Sequence, residues 1–128
     1  MGRSTRGALL LAAAIAAGAC SDSKPEVAVG RWGGHNAELV VTADGATARF
    51  KCGATGTIGQ RLALDGTSAF DLPGSFVTPV INLGVQPARY AGSVSGSSMS
   101  LVLAVSGQPN GAFQLTLGTE PNFDVCNF

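Results

Sequence analysis

The sequence predicts an all-β domain, with about eight antiparallel strands in a meander that closes into a small barrel. From residue 38 onward the chain contains several runs in which apolar side chains recur at every second position, which is the period of a half-buried strand. Pairs typical of tight turns, Asp44-Gly45 and Asp65-Gly66, separate the runs at the spacing of an all-β domain. Charged residues make up only 12% of the chain and 18 residues are glycine, which disfavours long exposed helices. A two-sheet β-sandwich is the alternative.

The alternating runs follow one another with mostly short connections. The longest connection covers residues 78–87, the Pro-Gly pair at 73–74 predicts a bulge or a sheet edge, and the sequence at 109–111 predicts a turn. The predicted strands are 27–34, 38–43, 46–52, 60–65, 69–76, 88–96, 99–106 and 112–118. The side chains expected to fill the interior include Leu39, Val41, Phe50, Leu62, Leu64, Phe70, Phe76, Tyr90, Met99, Leu101, Leu103, Phe113 and Leu115.

Residues 1–19 have the pattern of a helical signal peptide. Arg3 and Arg6 precede the apolar run 8–17, which is shorter than the roughly 20 residues that a membrane-spanning helix needs. Ala17 and Ala19 are the small residues that signal cleavage requires. We therefore expect the leader to be removed immediately before Cys20.

The tetrapeptide Ala17-Gly18-Ala19-Cys20 also resembles the lipobox of bacterial lipoproteins. That resemblance implies lipidation of Cys20, a short tether over 20–27 and a single β-barrel domain over 28–128. Ser21 resembles the outer-membrane sorting signal of Gram-negative bacteria. The expected location is therefore the bacterial cell envelope, lipid-anchored on the outer membrane and facing the periplasm. A soluble periplasmic protein is the alternative.

The three cysteines also bear on the anchor. If Cys20 carries lipid, Cys52 and Cys126 remain as a pair for a disulfide in an oxidising compartment. Such a bridge would close a loop of about 75 residues, for which the chain-entropy model gives roughly 4 kcal/mol. No CxxC spacing or histidine cluster accompanies these cysteines, so we expect a structural role and not a redox or metal-binding one.

Charge and residue types argue against several functions. Residues 20–128 hold six basic and eight acidic residues, a net charge of −2, and the basic ones are scattered. We therefore expect no nucleic-acid partner. His35 is the one histidine, no serine lies in a GxSxG motif, and the carboxylates form no readable pair. We expect a monomeric non-enzyme, with no catalytic residue, metal or cofactor.

The segment Gly30-x-Trp32 resembles the first-strand G-x-W of lipocalins, whose tryptophan plugs the closed end of an eight-stranded barrel. The wider pattern resembles small bacterial lipoproteins that have no assigned activity. That wider resemblance rests on the run 32–34, the Cys-x-x-x-Gly run 52–56 and the spaced glycines of 90–96 before Met99. It implies a barrel and an anchor, and no particular chemistry.

Two functional hypotheses follow. The first is a non-catalytic, membrane-anchored envelope lipoprotein, structural or binding an unknown envelope protein through an apolar patch around Val77, Val80, Ile81 and Val85. The alternative is a lipocalin-like carrier of a small apolar ligand, which needs a cavity above roughly 300 Å³ opening at one barrel end. Candidate ligand or barrel-end contacts are Trp32, His35 and Tyr90.

Overall fold

Eight antiparallel strands form a closed barrel in which each strand pairs with the next and the last returns to the first. The computed structural model describes residues 25–79 and 83–126. The all-β meander is confirmed, and pairing of the first and last strands makes it a barrel and not a sandwich. The predicted signal peptide and Cys20 lie outside the described residues. The strands are β1 (Gly30–Gly34), β2 (Ala37–Thr42), β3 (Gly45–Phe50), β4 (Thr55–Ile58), β5 (Ala69–Val77), β6 (Gln86–Ser95), β7 (Ser98–Val105) and β8 (Gln108–Leu117).

The connections gather at two ends because consecutive strands run in opposite directions. We call one the closed end; it holds the segment 25–29 before β1 and the connections 43–44, 59–68 and 96–97. We call the other the open end; it holds the connections 35–36, 51–54, 78–85 and 106–107. The segments that line each end are therefore far apart in the sequence.

Large side chains fill the barrel interior, as expected for eight strands. The largest fully buried ones are Trp32, Tyr90, Leu39, Leu62, Met99, Leu101, Leu103, Leu115 and Val41. The Tyr90 hydroxyl donates a hydrogen bond to the Ser75 carbonyl oxygen (2.7 Å). It also lies against Gly56, where a Cβ atom would overlap it, so a glycine in β4 makes room for the tyrosine.

The fourth strand differs from the prediction. It is Thr55–Ile58, whereas the run predicted at 60–65 forms a loop across the closed end. In that loop, the Leu62 carbonyl accepts from the Val27 amide (3.0 Å), and Leu62 is buried. The period-two pattern of β4 was not recognised because Gly56 supplies no apolar side chain at an inward position.

The other two turn signals have different outcomes. Pro73 lies within β5 and pairs with Arg89 of β6. The pairing of β5 with β4 ends at Ser75, so Pro73 has no partner on that side. It therefore lies at a local sheet edge, which is one of the two predictions for the Pro-Gly pair, the other being a bulge. The turn predicted at 109–111 is wrong, because these residues belong to β8. The turn is formed instead by Ser106 (φ 51°) and Gly107 (φ 82°), whose positive φ angles suit a tight hairpin.

After β8, the chain runs back along the outside of β1 to the open end; we call residues 118–126 the strap. The Gly118 amide donates to the Arg31 carbonyl oxygen (2.7 Å) and the Asn122 amide to that of Gly34 (3.1 Å). Gly33 faces the strap, and a Cβ atom there would overlap the Thr119 carbonyl oxygen. A glycine in β1 therefore lets the strap lie directly on the barrel wall.

The strap is fastened by a disulfide. Cys126 near its end is bridged to Cys52, which follows β3, with a Cα–Cα distance of 5.6 Å and a sequence separation of 74. The predicted pairing of these two cysteines is confirmed. The bridge closes a loop that contains most of the barrel.

Candidate functional site

The three candidate contact residues do not form one site. Trp32 and Tyr90 are fully buried in the interior, whereas His35 is exposed in the connection between β1 and β2 at the open end. Each therefore has a local structural environment of its own.

Trp32 closes one end of the barrel. Its indole Nε1 donates to the carbonyl oxygen of Ala28 (2.9 Å), in the segment that precedes β1. On the neighbouring strands, Trp32 pairs with Leu39 and with Leu117. Its single polar atom is satisfied and its ring is covered, so Trp32 belongs to the core and leaves no face for a ligand.

Tyr90 is also fully engaged. Burial raises the pKa of its phenol to about 12, so the side chain stays neutral at physiological pH. Its hydroxyl already donates to the Ser75 carbonyl oxygen. Tyr90 thus braces β6 against β5 beneath the open end.

His35 faces the strap. Its Nδ1 lies 2.7 Å from Oδ1 of Asn122, and its Nε2 lies 3.2 Å from Oδ2 of Asp124. The Asn36 amide donates to the same Asp124 oxygen (3.0 Å) and, with His35 and Lys51, lowers the pKa of that carboxyl. Both ring nitrogens of His35 are thus taken by strap residues, which makes the histidine a fastening point for the strap.

Outside the barrel, a buried carboxylate links three strands. Glu38 on β2 is 3% exposed and accepts from Arg49 Nε on β3 (2.7 Å), with Arg31 Nε on β1 at 3.0 Å. The hydrogen bond and charge of Glu38 raise the pKa of Arg49. The Phe123 ring of the strap lies over the Arg49 guanidinium, 5.4 Å from centroid to Cζ. This cluster holds the strap on the barrel wall.

The open end contains a recess of about 400 Å³ with an aromatic surface. Phe50 on β3, Phe76 on β5 and Phe113 on β8 meet there, with ring centroids 5.8 Å (Phe50–Phe76) and 5.4 Å (Phe50–Phe113) apart. Phe113 is only half-buried, so part of the aromatic surface faces the recess. The volume lies near the lower limit of small-molecule sites, roughly 300–1,000 Å³. We call this the mouth recess.

The period-two pattern predicts an interior position for these phenylalanines and gives no indication of the recess that they form. The available signal was their position: Phe50 and Phe76 stand at or next to the ends of strands that meet at the open end. The recess could be recognised only with the correct strand boundaries and with the closure of the barrel.

Exposed apolar side chains occur on segments of the same end. Leu83 and Val85, before β6, are 57% and 73% exposed, and Val125 in the strap is 86% exposed. Of the patch expected in the long connection, Val85 is exposed and Val77 is half-buried, whereas residues 80–82 lie outside the described part. Among the described residues, Val29 (64% exposed) is the corresponding side chain at the closed end, so the open end carries more of the exposed large apolar side chains.

A second groove of about 400 Å³ lies on the outer wall beside β5 and β6. It is lined by Pro73, Pro87 and Arg89, and Arg89 is already paired with Asp71 (3.0 Å). It contains no aromatic ring among its described lining residues. The mouth recess is therefore the better candidate for binding.

Within residues 25–79 and 83–126, no group of three or more metal-capable side chains occurs. No helix in the same ranges is long and apolar enough to cross a bilayer. Comparison of the chain with protein-family models, curated proteins and solved structures finds no match. The molecule is a closed, strapped β-barrel consistent with a lipocalin-like architecture, with its interior filled and an aromatic recess at its open end.

Proposed function

We propose that this protein is a non-catalytic binding protein of the bacterial cell envelope, anchored by lipid at Cys20, whose mouth recess takes a small apolar molecule. The observation that carries the proposal is the recess of about 400 Å³ walled by Phe50, Phe76 and Phe113. Covering the half-buried Phe113 ring with an apolar ligand lowers the free energy most, since Phe50 and Phe76 are each only 8% exposed.

The filled interior restricts the ligand to the mouth. Tyr90, Met99 and Leu103 are fully buried, so the recess is a shallow site and not a deep calyx. A ligand of this site therefore lies on the phenylalanine rings and keeps part of its surface in water. We expect moderate affinity and tolerance of ligand shape, because few polar groups fix its orientation.

The anchor is supported by the cysteine count and by the course of the chain. The bridge between Cys52 and Cys126 leaves Cys20 as the one cysteine available for lipid. The Pro25 carbonyl oxygen accepts from the Leu64 amide (2.9 Å) at the closed end. A lipid attached a few residues before Pro25 would hold the closed end nearest to the membrane, and the mouth recess would then face the periplasm.

A second candidate function is docking of an envelope protein at the open end. The exposed side chains of Leu83, Val85 and Val125 favour it, because large apolar groups exposed at the same end of a small domain suit a protein contact. In that case the recess would receive an apolar side chain of the partner.

Titration with a neutral fluorescent probe, N-phenylnaphthylamine, tests the carrier proposal. We expect saturable binding to the wild-type protein and about tenfold weaker binding to Phe113→Ala, since one ring of the recess is lost. The matched control is Val102→Ala, because Val102 is a half-exposed apolar residue on β7 outside the recess. Absence of saturable binding, or equal binding by the two variants, would contradict the proposal.

Native mass spectrometry of the protein purified from its own host distinguishes the two candidates. A retained small molecule that disappears in Phe113→Ala supports the carrier. A co-purifying protein that is lost in Leu83→Ser and Val85→Ser, but kept in Phe113→Ala, supports docking.

A further inference from the structure

We infer that the ligand of the mouth recess is an organic anion: its apolar body lies on the phenylalanine rings and its single negative group contacts the Lys51 ammonium. This inference rests on the proposed function and specifies the class of ligand. Lys51 stands directly after Phe50, at the start of the short 3-10 turn between β3 and β4, and it lines the recess.

The ionic partners of the basic residues single out Lys51. Arg31 and Arg49 share Glu38, Arg61 pairs with Glu26 (3.3 Å) and Arg89 pairs with Asp71 (3.0 Å). In the part of the chain that the structure describes, Lys51 makes no ion pair within 4.0 Å. It is thus the described cation whose charge is not already matched by a carboxylate.

The Asp124 carboxylate does not neutralise Lys51 by direct contact. Asp124 is close enough for the charge of Lys51 to lower its pKa, but its Oδ2 atom is held by Asn36 and lies 3.2 Å from His35 Nε2. Asp124 belongs to the strap and is not among the residues that line the recess. A ligand anion can therefore reach the ammonium without displacing a salt bridge to any carboxylate within residues 25–79 and 83–126.

None of the described residues that line the recess carries a negative charge. Lys51 is the one ionisable side chain among its described lining residues, since Cys52 is held in the disulfide. Asn110, on β8, adds an amide group to the lining. A site with three aromatic rings, one cation and no carboxylate favours an amphiphilic anion over a neutral or cationic molecule.

The effect expected from one exposed charge is modest. Contacts between solvent-accessible charges are weak and are screened by salt. We therefore expect the negative group to improve binding by about three- to fivefold at low ionic strength. The phenylalanine rings provide the rest of the affinity.

A pair of probes with one ring system isolates this effect. Anilinonaphthalene sulfonate carries a negative sulfonate, and N-phenylnaphthylamine has the same rings without it. Against wild-type protein at low ionic strength, we expect the sulfonate to bind about three- to fivefold more tightly than its neutral analogue, with the difference removed by added salt.

The variant Lys51→Met removes the charge and keeps an apolar stem of similar length. It is expected to weaken binding of the sulfonate about three- to fivefold and to leave the neutral probe within about twofold. Lys51→Arg should restore the preference. The matched control is Arg61→Met, since Arg61 lies at the closed end and its loss should change neither probe. Unchanged unfolding midpoints would show that all three variants remain folded.

The outcomes separate the inference from the proposed function. Equal binding of the two probes to the wild type, or equal weakening of both by Lys51→Met, would contradict the inference that the ligand is an anion. Either result would be compatible with an apolar ligand in the mouth recess. Failure of the wild type to bind either probe would overturn both.

Discussion

The Phe113 ring on β8 lies 5.4 Å from the Phe50 ring on β3, centroid to centroid, although the two strands are not neighbours in the barrel. The rings therefore meet across the lumen, where they cover the filled interior beneath. Phe76 joins them from β5. These rings form the outermost layer of the core and also the surface of the mouth recess. The same residues therefore contribute to stability and to the proposed binding.

The disulfide is expected to provide much of the stability. Replacing Cys52 and Cys126 together with serine should lower the free energy of unfolding by about 4 kcal/mol, because a bridge spanning 74 residues restricts the unfolded chain. The fluorescence of Trp32, the one tryptophan, monitors denaturant unfolding and gives this free energy. Reductant should lower the free energy of unfolding of the wild type by the same amount and leave that of the double variant unchanged. A loss below about 1 kcal/mol would mean that the bridge adds little restraint to the unfolded chain.

The buried carboxylate of Glu38 should matter more than an exposed one. Glu38→Gln is expected to cost about 1–3 kcal/mol, since it leaves Arg31 and Arg49 without their shared anion. Asp71→Asn is the matched control, because the carboxylate of Asp71 is 65% exposed while that of Glu38 is 4% exposed. We expect Asp71→Asn to cost less than about 1 kcal/mol in the same unfolding assay. Similar losses in both variants would contradict the role assigned to burial.

Alkaline pH should destabilise the barrel through Tyr90. Burial raises its folded pKa from the ordinary value of 10.0 to about 12, so the folded state holds the phenol proton more tightly than the unfolded state. Stability is therefore retained below the unfolded pKa and falls as pH rises from it toward about 12.

Tyr90 is the one tyrosine in the chain, so ultraviolet absorbance of the phenolate reports it alone. We expect the native protein to titrate near 12 and the unfolded protein near its ordinary value. Tyr90→Phe should remove this alkaline dependence and cost about 1 kcal/mol through loss of the hydrogen bond to Ser75. A native titration at the ordinary tyrosine value would show that the phenol is solvated.

Cys20→Ala is expected to release the mature protein from membranes without changing its thermal unfolding midpoint. Residue 20 precedes the described barrel, whose first contacts begin at Pro25, so its loss leaves the core contacts intact. Membrane fractionation and thermal unfolding measure the two effects. Ser21→Ala retains the cysteine and should still sediment with membranes. Continued sedimentation of Cys20→Ala would refute the anchor.

The sequence alone was sufficient for the fold class and for the covalent bridge. Period-two runs such as 99–105 identify half-buried strands because a strand places alternate side chains on opposite faces. The odd cysteine count, together with the lipobox resemblance that assigns Cys20 to lipid, led to the pairing of Cys52 with Cys126, which the structure confirms. Both inferences depend on local spacing, on counting or on a short motif, and neither needs knowledge of which strands become neighbours.

Tertiary structure decided the rest. Closure of the barrel depends on the pairing of β1 with β8, and β4 could be recognised only once Gly56 was seen to make room for Tyr90. The mouth recess joins Phe50 and Lys51 to Phe113 on β8, which lies far along the chain. Packing between segments distant in sequence is governed by the fit of side chains in space, and local periodicity carries no record of that fit.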